Sequence, residues 1–223
     1  MPIRKVPLVT GEYYHVFNRG VNKQPIFTGK RDYVRALETL KFYLPEDPPV
    51  RYSKFMLTSK EEREKILSNM NKRERIIDII SYCFMPNHFH LLAKQNKDRG
   101  ITKFMRNFQI SYTLFFNLKY ERTGPLLTGQ FKAVRVEDDE QLLHTSRYIH
   151  LNPYTSFIVQ NFQDLETYPY SSLTEYLGKN LEGICDKEII LSNFKDTEVY
   201  KKFLFDQADY QQKLEQIKHL LLE

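Results

Sequence analysis

His88 and His90 flank a single phenylalanine in the apolar stretch YCFMPNHFHLL, residues 82–92. On a β-strand, residues i and i+2 face the same way. Both imidazoles would then project side by side, with Phe89 on the opposite face. That is an arrangement suited to two metal ligands. It is equally that of a half-buried strand that happens to carry two histidines.

A second group lies in RYIHLNP, 147–153. Tyr148 and Asn152 are four residues apart, so on a helix they share a face. His150, two residues from Tyr148, points roughly the other way. Proline disfavours α conformation in the residue before it, so Asn152 is expected at a frayed helix end, with its amide oxygen free to turn toward a cation. Two imidazoles and one amide oxygen make a mixed nitrogen and oxygen site that suits Mg²⁺ or Mn²⁺.

These residues need a scaffold, and the chain supplies a regular one. EYYHVFNRG, 12–20, alternates and is rich in β-formers, and it stops at a turn signal. Asp32 is expected to N-cap a helix to about Leu44, with Tyr33, Leu37, Leu40 and Leu44 on one face. Residues 76–85 read as a strand, Pro86-Asn87 as a turn and 88–94 as the returning strand. A helix over 101–121 takes its apolar positions from Phe104, Phe108, Ile110, Phe115 and Leu118. QFKAVRVED is a strand, and 138–151 a helix whose acidic first turn suits the helix dipole. This order predicts an α+β fold: a ferredoxin-like βαββαβ antiparallel sheet with helices on one face. A polar insertion over 45–75 and a C-terminal helical extension are added to it. Within the insertion, 50–75 carries eight basic and four acidic residues and reads as an excursion outside the core. The expected division is 1–178 for the catalytic domain and 179–223 for the extension.

Net charge is +5 over 223 residues, distributed unevenly. Residues 1–135 hold 25 Lys and Arg against 12 Asp and Glu, a net of +13, and 136–223 hold 8 against 16, a net of −8. A strongly basic body suits a polyanion such as nucleic acid. Cys83 and Cys185 are the only cysteines, too few for a disulfide scaffold. No apolar run approaches the roughly 18 residues of a membrane span, and no signal-peptide core is apparent. A cytoplasmic protein without membrane association is expected.

The motifs YHVFNRGVNKQPIF, YCFMPNHFHLL, GQFK and RYIHLNP, in that order, resemble the Y1 tyrosine transposases of the IS200 type. His-Phe-His is similar to the signature of HUH single-strand nucleases, and the closest branch is the REP-associated tyrosine transposases. The resemblance runs from about residue 12 to 178. It implies that Tyr148 is the nucleophile and that His88, His90 and Asn152 hold the metal. It implies a single-stranded DNA endonuclease and strand transferase acting on hairpin DNA, through a 5′-phosphotyrosine link and a free 3′-OH. Gln130 stands where members often carry Arg before the Phe-Lys pair, and the basic excursion is longer than in compact relatives.

Among other tyrosines, Tyr112 is expected in the core and Tyr14 either to pack or to stack on a base. His144, four residues before Tyr148, is expected to be solvated. Asn18, Arg19, Asn22 and Lys23 follow the first strand and are candidates to read unpaired bases. Lys103, Arg106, Lys132 and Arg135 are candidate phosphate contacts. A non-catalytic single-stranded nucleic-acid-binding module would need sheet aromatics but not His88, His90 and Tyr148 together. A metal-dependent nuclease using water would not need Tyr148. A monomer is favoured over a homodimer, because the acidic extension could cover a sheet edge. The segment 196–223 either lies over the DNA cleft as a weakly docked lid, the reading adopted here, or packs against the sheet.

Overall fold

A computed structural model describes residues 7–180, 183–206 and 208 of the chain. Four strands form one sheet: β1 (Tyr13–Arg19), β2 (Ile77–Met85), β3 (His88–Gln95) and β4 (Lys132–Val136). Their order is β2-β3-β1-β4. The principal helices are α1 (Lys30–Phe42), between β1 and β2, α4 (Gly100–Lys119), between β3 and β4, and α5 (Asp139–Thr155), after β4. Two short helices, α2 (Tyr52–Phe55) and α3 (Lys60–Met70), lie in the segment read as an insertion. After α5 come α6 (Phe162–Glu166), α7 (Leu173–Tyr176), α8 (Glu188–Leu191) and α9 (Thr197–Phe205). In the sheet, β3 separates β1 from β2, and β1 separates β3 from β4. Each βαβ crossover thus skips one strand, the split arrangement expected of a ferredoxin-like sheet.

The described residues divide into two compact units: 7–78, 86–88 and 93–135 in one, and 79–85, 89–92 and those after 135 in the other. In the first unit α1 packs on α4. β1 alternates, burying Tyr14, Val16 and Asn18 and leaving Tyr13, His15 and Phe17 partly exposed. Tyr14 packs, and its hydroxyl accepts from the Val9 amide at 2.7 Å. Asp32 is not the N-cap of α1, which is Gly29. It sits inside the first turn, fully buried, and accepts from the Thr28 amide at 2.9 Å, Lys119 Nζ at 2.6 Å and the Tyr120 hydroxyl at 2.8 Å. Burial alone would raise its carboxyl pKa, but these hydrogen bonds outweigh that and hold it below its ordinary value. The local cap signal was therefore outcompeted by a tie to the far end of α4.

Two further expectations change here. The face of α4 that is buried comprises Ile101, Phe104, Met105, Phe108, Tyr112 and Phe116, whereas Ile110 and Leu118 face solvent. The segment 50–75 is not wholly outside the core: Tyr52, Phe55 and Met70 are buried. Tyr52 and Phe55 pack with Phe42 of α1 at ring distances of 5.1 and 5.0 Å. Two aromatics in a highly charged stretch are enough to anchor it, since each buries a large apolar area.

In the second unit, β2 is an edge strand whose outer side is occupied. The Phe84 amide donates to the Tyr170 carbonyl at 2.9 Å, the Ser172 amide to Tyr82 at 3.0 Å and the Asp186 amide to Ile79 at 2.8 Å. The Tyr168 and Tyr176 hydroxyls donate to the Phe84 and Ile80 carbonyls at 2.9 and 2.8 Å. Residues 168–176 and 185–186 thus cover an edge that would otherwise invite another strand. Helix α9 is part of this unit's core: Tyr200 and Leu204 are fully buried. The lid expected over 196–223 is therefore incorrect for 197–205; residues 207 and 209–223 lie outside the described residues.

Candidate active site

β3 sets His88 and His90 on one face and Phe89 on the other by strand alternation. His88 is half-buried, and its Nδ1 lies 2.6 Å from Asn87 Oδ1. Asn87 Nδ2 also donates to the Lys23 carbonyl at 3.2 Å. Asn87 was read from sequence only as a turn residue. Asn87 Oδ1 can only accept, so in this contact Nδ1 carries the proton and Nε2 keeps the lone pair. An asparagine directly before the first histidine was the available signal. The loop it touches is tight: a Cβ on Gly20 would collide with the Gln24 carbonyl oxygen.

Helix α5 begins at Asp138, whose side chain accepts from the Gln141 amide at 2.7 Å. Asp139 and Glu140 follow in its first turn, where acidic side chains favour the helix dipole. Ten residues in, Tyr148 is half-buried, and its ring meets that of His90 edge-on, at 5.6 Å between centroids and 85° between planes. His90 itself is 7% exposed. One turn later Asn152 is buried, and its amide nitrogen donates to the Tyr148 carbonyl at 3.1 Å. That use of the nitrogen leaves the amide oxygen as the end able to face a cation.

Asn152 is not at a frayed end. The helix runs through Pro153 to Thr155. Phe157 closes it in the left-handed region, at φ 58°. The Ile158 amide donates to the Pro153 carbonyl at 2.9 Å and the Phe157 amide to Tyr154 at 3.1 Å. This is the two-bond C-terminal motif that usually employs glycine. Proline lacks an N–H, and the Asn152 side chain takes up the carbonyl one position before the one left without an amide partner.

The remaining histidines of α5 have other tasks. His150 is fully buried, with Nδ1 at 2.7 Å from the Tyr200 hydroxyl and Nε2 at 2.8 Å from Ser172 Oγ. Desolvation pulls its pKa down to about 3, so it is a neutral structural group. His144 is more than a solvated residue: its Nδ1 lies 2.7 Å from an Arg147 guanidinium nitrogen. Arg147 also donates to the Phe203 carbonyl at 3.2 Å and lies over the Phe203 ring at 4.6 Å. Tyr112, in contrast, is buried and donates to the Ile26 carbonyl at 2.5 Å, and burial pushes its pKa far up.

The candidate DNA contacts divide by environment. Asn18 is buried; its Oδ1 accepts from the Arg19 amide at 2.8 Å, and its Nδ2 has no hydrogen-bond partner among the described residues. Arg19 is exposed, and Asn22 and Lys23 turn through the left-handed region at φ 54° and 57°. Lys132 is exposed, with Nζ 6.0 Å from the Phe17 ring centre. Lys103 pairs with Asp47 at 2.5 Å and Arg135 with Glu12 at 2.8 Å. Arg106 is exposed on α4.

Among the described residues no group of three or more His, Cys, Asp and Glu side chains is placed to hold a metal. The donor set at issue is different, two imidazoles on one strand face and an amide oxygen, and this chemistry fits a divalent cation that retains water and substrate oxygens. No helix among the described residues is long and apolar enough to cross a membrane.

No curated protein matches the chain. A solved structure described as "Structure of the REP associates tyrosine transposase bound to a REP hairpin" is similar in fold, with a TM-score of 0.52 at 14% identity, covering 82% of this chain and 89% of that one. Residues 48–152 match the family described as "Transposase IS200 like". That match begins inside the segment read as an insertion, takes in β2, β3, α4 and β4, and ends on Asn152, so this part of the chain is similar to the IS200-like transposases.

Proposed function

We propose that this chain cuts and rejoins single-stranded DNA beside a hairpin, using Tyr148 as nucleophile and forming a 5′-phosphotyrosine link. The observation that carries this is the edge-on placement of the half-exposed Tyr148 ring on His90, with Asn152 bonded back to the Tyr148 carbonyl. The Tyr148 hydroxyl attacks phosphorus, the P–O3′ bond breaks, and the 3′-oxygen leaves as a hydroxyl once protonated. The link conserves the phosphodiester's energy, so a second 3′-OH can reverse the step and join another strand. His88, His90 and Asn152 would hold Mg²⁺ or Mn²⁺, whose charge would offset that developing on the phosphoryl oxygens. Asn87 keeps His88 in the tautomer that this requires.

Hairpin recognition is the reading best supported by the loop after β1. At the end of β1 Asn18 holds a buried, unused donor and Arg19 is exposed, and Asn22 and Lys23 follow in the turn. Lys132 is the remaining basic candidate with no carboxylate partner among the described residues, apart from Arg106. Lys103 and Arg135 would have to exchange Asp47 and Glu12 for phosphate. A monomer is the favoured state: the outer side of β2 is paired by residues 168–176 and 185–186, and β4 is a five-residue edge carrying Lys132 and Arg135, features that oppose strand addition. A cytoplasmic location follows the same reading.

The test is incubation with a library of single-stranded hairpins and Mn²⁺, followed by denaturing gels. A protein–DNA adduct abolished by EDTA, by His88→Ala and by His90→Ala is the expected result. Cleavage without an adduct would mean water is the nucleophile, and binding without cleavage would mean a non-catalytic module; either outcome overturns the proposal.

A further inference from the structure

The first unit carries a groove that takes no part in the strand-cutting chemistry above, although one candidate phosphate contact, Arg106, lies on its rim. It encloses about 560 Å³ between α4 and the stretch from α1 to Leu57. Its apolar side is a stripe on α4, Ile110, Leu114 and Leu118, at i, i+4 and i+8 and 51%, 62% and 84% exposed. Leu57, 87% exposed, continues it from the end of α2. A row of exposed aliphatic side chains at helical spacing is a known form of receptor for a partner helix.

Arg31, Arg35, Arg51 and Arg106 also line the groove, and no carboxylate does. None of the four forms an ion pair among the described residues. Several basic side chains elsewhere are paired, Lys103 with Asp47, Lys119 with Asp32, Arg135 with Glu12, and Lys179 and Lys201 with Glu166. Arg35 is held in place by stacking over Tyr52 at 4.3 Å and Phe115 at 4.9 Å. Its Nε is buried with no hydrogen-bond partner. A preordered guanidinium that forms no ion pair among the described residues is suited to a carboxylate.

We infer that this groove docks an acidic amphipathic helix of a partner protein, its leucines on the α4 stripe and its carboxylates on the arginines. Charge complementarity selects an acidic occupant. The aliphatic stripe selects a protein over nucleic acid, since single strands are held by aromatic stacking and gain little from Leu114 or Leu118.

The test uses the full chain and fluorescence anisotropy. The probe is a labelled synthetic 18-residue helix with leucines at i, i+4, i+7 and i+11 and glutamates flanking them. A second peptide has the same leucines and lysine flanks. Expected is saturable binding of the acidic peptide, at least tenfold tighter than the basic one. Leu114→Glu and Arg51→Glu should each weaken it by about tenfold or more, while melting temperature and hairpin adduct formation stay unchanged. Both substituted side chains are exposed, so folding is not at issue. No binding of the acidic peptide, or binding indifferent to both substitutions, overturns the inference. So does displacement of the peptide by single-stranded DNA, which would make the groove a nucleic-acid surface. Concentration-dependent dimers abolished by Leu114→Glu would also overturn it, assigning the groove to a second copy. Because adduct formation is read separately, failure here leaves the assignment of Tyr148 standing, and the reverse.

Discussion

Helix α4 buries Tyr112 among Phe108, Phe115 and Phe116, whereas helix α5 leaves Tyr148 half-exposed with His90 at its ring. Both tyrosines lie well inside long helices. The first donates its proton to a backbone carbonyl, and burial pushes its pKa far above the ordinary value. It cannot readily become a phenolate, and no phosphate can reach it. The second stands at a surface beside a strand that carries two imidazoles. Residue type does not separate these tyrosines; what surrounds each hydroxyl does.

The largest expected effect breaks this comparison directly. Tyr148→Phe should lower adduct formation by about 10⁴-fold, or about 5.5 kcal/mol of barrier, while hairpin affinity changes by only a few-fold. Tyr112→Phe should leave the adduct intact and cost about 1 kcal/mol in urea unfolding, because the Ile26 carbonyl loses its donor. An adduct that survives in the first variant and disappears in the second would exchange the two roles.

The strand and helix of the candidate site are more legible in the sequence than what supports them. His88-Phe89-His90 follows a strong turn signal, and its period of two is short and unambiguous. The spacing of Tyr148 and Asn152 is likewise local. The end of α5 was not legible, because a phenylalanine does in it what glycine signals elsewhere. The burial of 197–205 was not legible either. Its stripe of Tyr200 and Leu204 looks like any amphipathic segment until His150, fifty residues away, needs a partner. Asp32 failed for the same reason: its cap chemistry is local, and its partner Lys119 is not.

Helix α5 depends on α9 in a way α4 does not, and the next effect tests this. A chain ending at Lys195 lacks Tyr200 and Leu204. It should lose about 4 kcal/mol or more of stability, from core burial and from a stranded His150. Tyr200→Phe alone should cost about 2 kcal/mol. A truncated chain that melts like the full one would show that α9 is only loosely held.

His150 also gives α5 a pH dependence. Its folded pKa is about 3, below the ordinary value of about 6.5, so between those values the unfolded chain binds the extra proton. Stability contributed by neutral His150 is full above about pH 6.5 and falls as pH drops. At pH 5 the loss from this group is about 2 kcal/mol. Urea unfolding at pH 7 and pH 5 measures it, and His150→Gln should show a smaller difference between the two. An equal difference in both proteins would mean that His150 is not the titrating group.

The smallest effect concerns how the two helices end. Both close on a left-handed residue that is not glycine: Glu121 at φ 52° after α4, and Phe157 at φ 58° after α5. In each, an amide reaches back five residues, Arg122 to the Asn117 carbonyl and Ile158 to Pro153, both at 2.9 Å. The left-handed region costs an L-residue about 1–2 kcal/mol, and glycine avoids that cost while giving up some of the gain to its freer unfolded chain. Glu121→Gly also removes a negative charge from the negative end of the α4 dipole. It should therefore stabilise the protein by about 1 kcal/mol. Phe157 is 51% exposed, so Phe157→Gly forfeits part of a ring's burial, and its gain should be about 0.5 kcal/mol or less. Thermal melts of the two variants separate these values. If Phe157→Gly were instead clearly destabilising, the Phe157 side chain, and not only its backbone, would be holding the end of α5, and with it the turn that carries Asn152.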